Sequence, residues 1–326
     1  MSTGAHALEV PRYELHCHLD GSVRPGTLRE LAAEQGLELT RPIRELVVAP
    51  ARCGSLTRFL GYLDLPLRVL QTPSALARAA RELVEDWSAD GVVHGEVRFA
   101  PQLHGRRGMS LDDAVRAVAG GLADGRRATG VRTGLLLCCL RHQTPDESLA
   151  VAEAALRNRE TVSGLDLAGD ERLHPGAPHR PAFDLVRGAG LPCTVHAGEA
   201  ADARSMWEAV DTLGARRIGH GVRCTGDRSL LDRLRRDRIA LEMCPTSNVQ
   251  TGAVPGLSQH PATPLLALGV PVTINTDTRT TSATTLRREF GRLRTFLQWT
   301  VEDEKRVQRY AAAAAFDPPS EPPSPA

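Results

Sequence analysis

The chain predicts a (β/α)8 barrel with a helical insertion after its first strand. Eight short apolar runs recur along the 326 residues, and stretches with helical spacing lie between most of them. The runs are near-continuous in Val, Ile and Leu and do not alternate strictly, which marks parallel strands buried on both faces. Eight such units alternating with helices favour a closed barrel, with an open doubly wound sheet as the alternative.

The runs cover residues 13–19, 92–101, 132–141, 163–169, 192–199, 217–221, 239–247 and 270–277. Apolar residues every three or four positions predict helices over 74–87 and 111–122, and more briefly over 146–156, 203–213 and 229–236. About seventy residues separate the first two runs, roughly twice what one barrel unit needs. This insertion, residues 27–69, holds Pro42, Pro50 and the cluster Phe59, Leu60, Tyr62 and Leu63. It belongs above the mouth formed by the strands' C-terminal ends, where long loops act as lids. A peripheral packing role is the alternative. Residues 311–315 close the final helix, and the Pro-, Ser- and Glu-rich residues 317–326 read as a disordered tail after one domain over 1–316.

Composition narrows the function. A net charge of +1 gives no electrostatic case for nucleic acid or an anionic membrane. No apolar run reaches membrane-span length, and no secretory signal pattern opens the chain. Seven cysteines without compact spacing read as free thiols in a reducing cytoplasm. The partner to expect is a small molecule.

Functional groups of a barrel collect at the C-terminal ends of its strands. His16 and His18 close the first run, two apart and on one side of it. His196 closes the fifth run, with Glu199 opening the loop beyond, where partial desolvation suits a carboxyl to general-acid work. His220 ends the sixth run between two glycines that permit close approach. Asp277 ends the eighth, where a charge is costly to bury unless paired or on a metal. Three imidazoles and a carboxylate make a good Zn²⁺ set, and zinc brings the pKa of water towards neutrality. His220 is placed to orient or deprotonate that water.

His94-Gly95-Glu96 with Pro192-Cys193 imitates the H-x-E…P-C-x-x-C zinc signature, but residue 196 is His and no C-x-x-C occurs. Glu96 and Arg98 read as polar groups of the barrel interior or behind the ligands.

With these residues in hand, the chain resembles the adenosine deaminase family of the amidohydrolase superfamily, in its bacterial form. The resemblance runs from about Tyr13 to Phe316 through ELHCHLDGS (14–22), EVRFAPQLH (96–104), GLDLAGDE (164–171), TVHAGEA (194–200), RIGHGVR (217–223), EMCPTSNVQTG (242–252) and INTD (274–277). It implies a barrel with one catalytic Zn²⁺ held by His16, His18, His196 and Asp277. It implies that Glu199 protonates purine N1, that His220 assists the attacking water, and that ammonia leaves. Gly169 would offer its backbone to the purine edge, and Asp20 would contact the ribose 5′-hydroxyl. Because related adenine deaminases often carry Glu at the matching position, the resemblance implies that Asp20 would favour a nucleoside over a free base, and its carboxylate would disfavour a 5′-phosphate. The implied activity is deamination of adenosine or a related 6-aminopurine nucleoside. Thr278 stands where the family carries Asp or Asn towards purine N7. The alternative is therefore a modified purine nucleoside, or adenine, with specificity shifted by Thr278. A non-catalytic binding protein has no use for Glu199, and the HLDGS and HAGE motifs point away from an amide or ester hydrolase.

Overall fold

The computed structural model describes residues 10–316; the expected tail, 317–326, lies outside them. Eight strands appear in chain order: β1 Arg12–His18, β2 Val92–Phe99, β3 Arg132–Leu140, β4 Gly164–Ala168, β5 Thr194–Ala197, β6 Arg217–His220, β7 Ala240–Met243 and β8 Val272–Ile274. They pair in parallel in two curled sets, β1-β2-β3-β4 and β5-β6-β7-β8. Single bridges join the sets at Leu165 with Cys193 and at Cys17 with Asp277, so the sheet closes on itself.

The β1–β8 seam is stitched by side chains as well as backbone. Leu15 N–H donates to Asn275 Oδ1 at 2.8 Å, and the Thr276 hydroxyl donates to Glu14 Oε2 at 2.8 Å. His18 N–H donates to the Asp277 carbonyl at 2.6 Å, and Asp277 N–H to the His16 carbonyl at 2.9 Å. Closure itself therefore sets Asp277 beside the two histidines of β1.

Helices wrap the barrel, and their starts follow from local chemistry. Thr72, Ser110, Thr144, Thr285 and Thr300 each accept a backbone N–H of the first turn with their hydroxyls. The helices Pro73–Ala89 and Leu111–Thr129 pack against each other. Gly121 lies so close to the Ala77 carbonyl that any Cβ there would collide with it.

Several runs overshoot their strands, and three departures from the expected elements are marked. The seventh run ends early: β7 stops at Met243, and Pro245–Gln250 is a helix with Pro at its first position. The eighth run also ends early: Asn275–Asp277 lie past β8, and Asp277 has a left-handed backbone with φ 61°. The segment 203–213 is a short helix, Ala203–Trp207, followed by a wider turn over Glu208–Thr212.

The insertion divides in two. Its first half, the helices Pro25–Glu34 and Ile43–Val47, packs beside the barrel, while Leu56–Leu60 and Asp64–Val69 lie over the mouth. The barrel's opposite end is plugged from the chain's last helix, Val301–Ala314. Arg217 Nη1 donates to the Ala314 carbonyl at 2.9 Å, and its guanidinium lies 3.6 Å from the centre of the Phe316 ring. Phe316 N–H donates to Glu96 Oε1 at 2.7 Å.

Candidate active site

The four residues His16, His18, His196 and Asp277 converge at the barrel mouth, with His220 beside them. His18 Nε2 lies 3.1 Å from His196 Nε2. Asp277 Oδ1 lies 3.5 Å from His18 Nε2 and 3.6 Å from His16 Nε2. Donor atoms of His16, His18 and His196, and of His16, His220 and Asp277, fall within 4.8 Å of one another.

Carboxylates behind the imidazoles set their tautomers. His16 Nδ1 donates to Glu242 Oε2 at 2.7 Å, and His196 Nδ1 to Asp166 Oδ1 at 3.2 Å. An ionised carboxylate only accepts, so both Nδ1 atoms carry the proton and both Nε2 atoms turn a lone pair to the centre. His16 Nε2 is buried without a hydrogen-bond partner. An orphaned nitrogen lone pair, facing imidazole nitrogens and a carboxylate, fits a cation with a preference for nitrogen ligands, as zinc has.

Arg98 ties the two carboxylates together, donating to Glu242 Oε2 at 2.9 Å and to Asp166 Oδ2 at 3.1 Å. Arg217 Nε donates to Glu242 Oε1 at 2.5 Å. Burial opposes ionisation of Glu242, but the two guanidiniums outweigh it and hold the carboxyl well below its usual range. Burial likewise opposes ionisation of Asp277, and the facing imidazoles of His16 and His18 outweigh it. Arg98 thus lies behind the imidazoles of His16 and His196, while Glu96 pairs with Arg217 lower in the barrel at 2.6 Å. His94 lies 3.4 Å from Glu96 and takes no part in the cluster.

Glu199 is fully buried and faces His220, with Oε2 3.5 Å from His220 Nε2. Burial first, and then the Asp277 carboxylate, pushes its pKa up to about 8. Its Oε1 accepts the Thr251 hydroxyl at 3.0 Å. Its loop is gathered by Glu171, a residue that strand-end reasoning passes over. The Glu171 carboxylate accepts the N–H groups of Gly198, Glu199, Ala200 and Ala201 at 2.6 to 3.1 Å, and the Ser205 hydroxyl. Burial pushes His220 down to about 4, so its imidazole is neutral.

Gly219 is closely hemmed in: a Cβ there would lie 3.0 Å from the His16 ring and 3.1 Å from His196 Cα, so its neighbours would have to give by a few tenths of an ångström. His220 and Asp277 both adopt left-handed backbone, φ 63° and 61°. Such non-glycine residues cost about 1–3 kcal/mol and cluster at functional sites.

His18, His196, Glu199, His220 and Asp277 open on one cavity of about 280 Å³. Asp20, Gly169 and Thr278 line it too, as does the insertion through Leu56, Phe59, Leu60 and Leu63. Gly169 has φ 104°, a conformation that side chains rarely adopt. Asp20 is pushed up to about 6, chiefly by burial. The Thr278 and Ser282 hydroxyls pair at 2.9 Å. No lysine or arginine lines the cavity among the described residues.

A parallel barrel whose strand ends bring together histidines and an aspartate that could hold a metal ion, with a buried carboxyl beside them, is the arrangement of a hydrolase. The sequence comparisons carry this further. The family model described as Adenosine deaminase matches residues 11–322. An adenosine deaminase of Enterococcus faecalis is 41% identical over 317 residues, 96% of this chain and 94% of that one. The chain belongs to the adenosine deaminase family and is an aminohydrolase. Among solved structures, an adenine deaminase from Arthrobacter aurescens superposes with a TM-score of 0.89 at 30% identity, covering 95% of each chain. An amidohydrolase from Burkholderia ambifaria with bound zinc superposes with a TM-score of 0.87 at 27% identity, covering 95% of this chain and 86% of that one.

Proposed function

We propose that the protein is a zinc-dependent deaminase of adenosine or a closely related 6-aminopurine nucleoside, releasing the 6-oxo product and ammonia. One observation carries the reading: the imidazole and carboxylate cluster and the buried Glu199 share a cavity that offers a ligand carboxyls, hydroxyls, imidazoles and apolar surface, and no lysine or arginine among the described residues. A 5′-phosphate would meet Asp20 and find no counter-charge there, whereas a ribose hydroxyl can donate to that carboxyl.

His16, His18, His196 and Asp277 would hold the zinc. When bound, zinc supplies Lewis-acid activation of water at neutral pH. Glu199 is protonated at neutral pH and donates to purine N1, which makes C6 electrophilic. His220 orients the attacking water. Water oxygen bonds to C6 and the C6–N bond breaks; one of the water's protons leaves with the amino group as ammonia, and the other restores Glu199, whose own proton stays on N1. The backbone at Gly169 meets the purine edge. The apolar side chains of the insertion exclude bulk water, which strengthens every charge interaction inside. The reducing cytoplasm suits a chain whose seven cysteines are all buried free thiols.

A second reading, a modified purine nucleoside or adenine as the preferred substrate, is favoured by Thr278. Its methyl fills the space in front of Gly21, and its hydroxyl is shared with Ser282. Ammonia release from adenosine, 2′-deoxyadenosine, adenine, AMP and 7-substituted analogues by zinc-replete protein separates the two. The first reading expects adenosine to exceed adenine and AMP. Faster turnover of adenine or of a 7-substituted analogue selects the second, and Thr278→Asn should then raise adenosine turnover.

A further inference from the structure

We propose that Asn248 is a positioning residue that holds His220 in the neutral tautomer with its proton on Nε2, so that His220 enters the reaction as a hydrogen-bond donor. The inference rests on the deaminase reading above but concerns a different property. It follows from a buried chain of hydrogen bonds whose direction is set by backbone amides.

The chain begins at Ala262, whose N–H donates to His260 Nδ1 at 3.3 Å. A backbone N–H can only donate, so His260 Nδ1 is the acceptor and the neutral ring carries its proton on Nε2. That Nε2 lies 3.2 Å from Asn248 Oδ1. A second backbone donor, Cys244 N–H, points at the same oxygen from 3.3 Å. Two donors at one atom assign it as the amide oxygen. The reverse orientation would set an NH₂ group against both of them. Asn248 Nδ2 then faces His220 Nδ1 at 3.0 Å. An amide NH₂ only donates, so His220 Nδ1 holds a lone pair and the ring proton lies on Nε2. That atom points towards Glu199, 3.5 Å from its Oε2.

His220, Asn248, His260 and Cys244 are all buried, so no exposed site along the chain lets water reverse its direction. The backbone holds it from both ends. Asn248 N–H donates to the Cys244 carbonyl at 2.8 Å, and Val254 N–H donates to the Asn248 carbonyl at 2.9 Å. The chemical consequence is specific. The His220 nitrogen that faces the reaction has no free lone pair, so it orients the water's oxygen by donation, and the water's protons pass to Glu199, left ionised once it has protonated N1, and to the departing amino group.

The test reads protons directly. Zinc-loaded protein labelled with ¹⁵N-histidine is examined by long-range ¹H–¹⁵N correlation at neutral pH, with the His220 signals assigned by their loss in His220→Gln. The expected spectrum has Nε2 protonated and Nδ1 bare. A proton on Nδ1, or on both nitrogens, would overturn the proposal. Asn248→Asp is the matching variant, because an ionised carboxylate only accepts and so requires the His220 proton on Nδ1. It should exchange the two ring signals and lower kcat by about 10–100-fold with KM little changed. Exchanged signals with unchanged kcat would also contradict the proposal. If that variant does not fold, the wild-type spectrum still decides. Wild-type turnover of adenosine separately tests the deaminase reading, so failure of one is distinct from failure of the other.

Discussion

Glu199 shows how much one residue's surroundings decide. In water its carboxyl would be ionised at pH 7, but burial and the Asp277 charge raise its pKa to about 8. The acid form is therefore dominant below about pH 8 and lost above it. On this account kcat/KM holds through neutrality and falls on the alkaline side. Glu199→Gln should retain zinc, lose about 10²–10⁴-fold in kcat, and lose that alkaline fall. Steady-state rates across pH, with metal content measured on the same protein, check all three, and near-full activity would remove Glu199 from the acid role. The residues of the site itself were legible from the sequence because histidines, a glutamate and an aspartate stand at or just past the ends of apolar runs. Their supports were not. Glu171 and Asn248 act on partners that are far away in sequence or displayed by a loop, so no local pattern marks them. Asp166 and Glu242 did leave a signal, since a carboxylate inside an apolar run needs a partner to be buried. Which histidine each would meet depends on barrel closure.

At the scale of elements, the insertion and the strand ends behave differently from their apparent patterns. The eighth run reads as strand through Asp277, and Asn275 and Thr276 are indeed as buried as strand residues, though they lie past β8. Seam contacts to β1, and not a β ladder, bury them. The seventh run carried its own stop signal at Pro245, which has no N–H to give a ladder and starts the helix that delivers Asn248. Lid-like placement of the insertion was expected, and its second half does lie over the cavity. That half is tied to the far rim by the Thr57 hydroxyl, which donates to Asp170 Oδ2 at 2.8 Å. Thr57→Val removes this exposed bond and should raise KM by about two- to fivefold with kcat nearly unchanged, consistent with about 0.5–1 kcal/mol. A drop in kcat at constant KM would mean that the contact shapes the chemistry and not closure.

Across the whole molecule, a buried charge ladder runs from His16 at the barrel mouth to the plugged end of the barrel. It passes from His16 through Glu242 and Arg217 to Glu96, where the Phe316 backbone closes it. Burial opposes ionisation of Glu96, but Arg217 outweighs it and holds the pKa at about 2, against 4.5 ordinarily. The sign is that of a depressed acid: its stabilisation is complete above about pH 4.5 and lost as pH falls towards 2. Denaturant unfolding as a function of pH should show that loss. Glu96→Gln should cost about 3–5 kcal/mol at neutral pH, because it leaves part of the Arg217 charge buried without its partner. A variant with unchanged stability would show that the ladder contributes little to folding.

The most direct test of the central claim takes one preparation of protein and measures bound zinc, ammonia release and the ultraviolet change on adenosine together. One zinc per chain and turnover of adenosine to the 6-oxo product are expected. Activity should disappear when a chelator strips the metal and return when zinc is restored. Full activity in metal-free protein, or a zinc-replete protein that releases no ammonia from any 6-aminopurine, would contradict it.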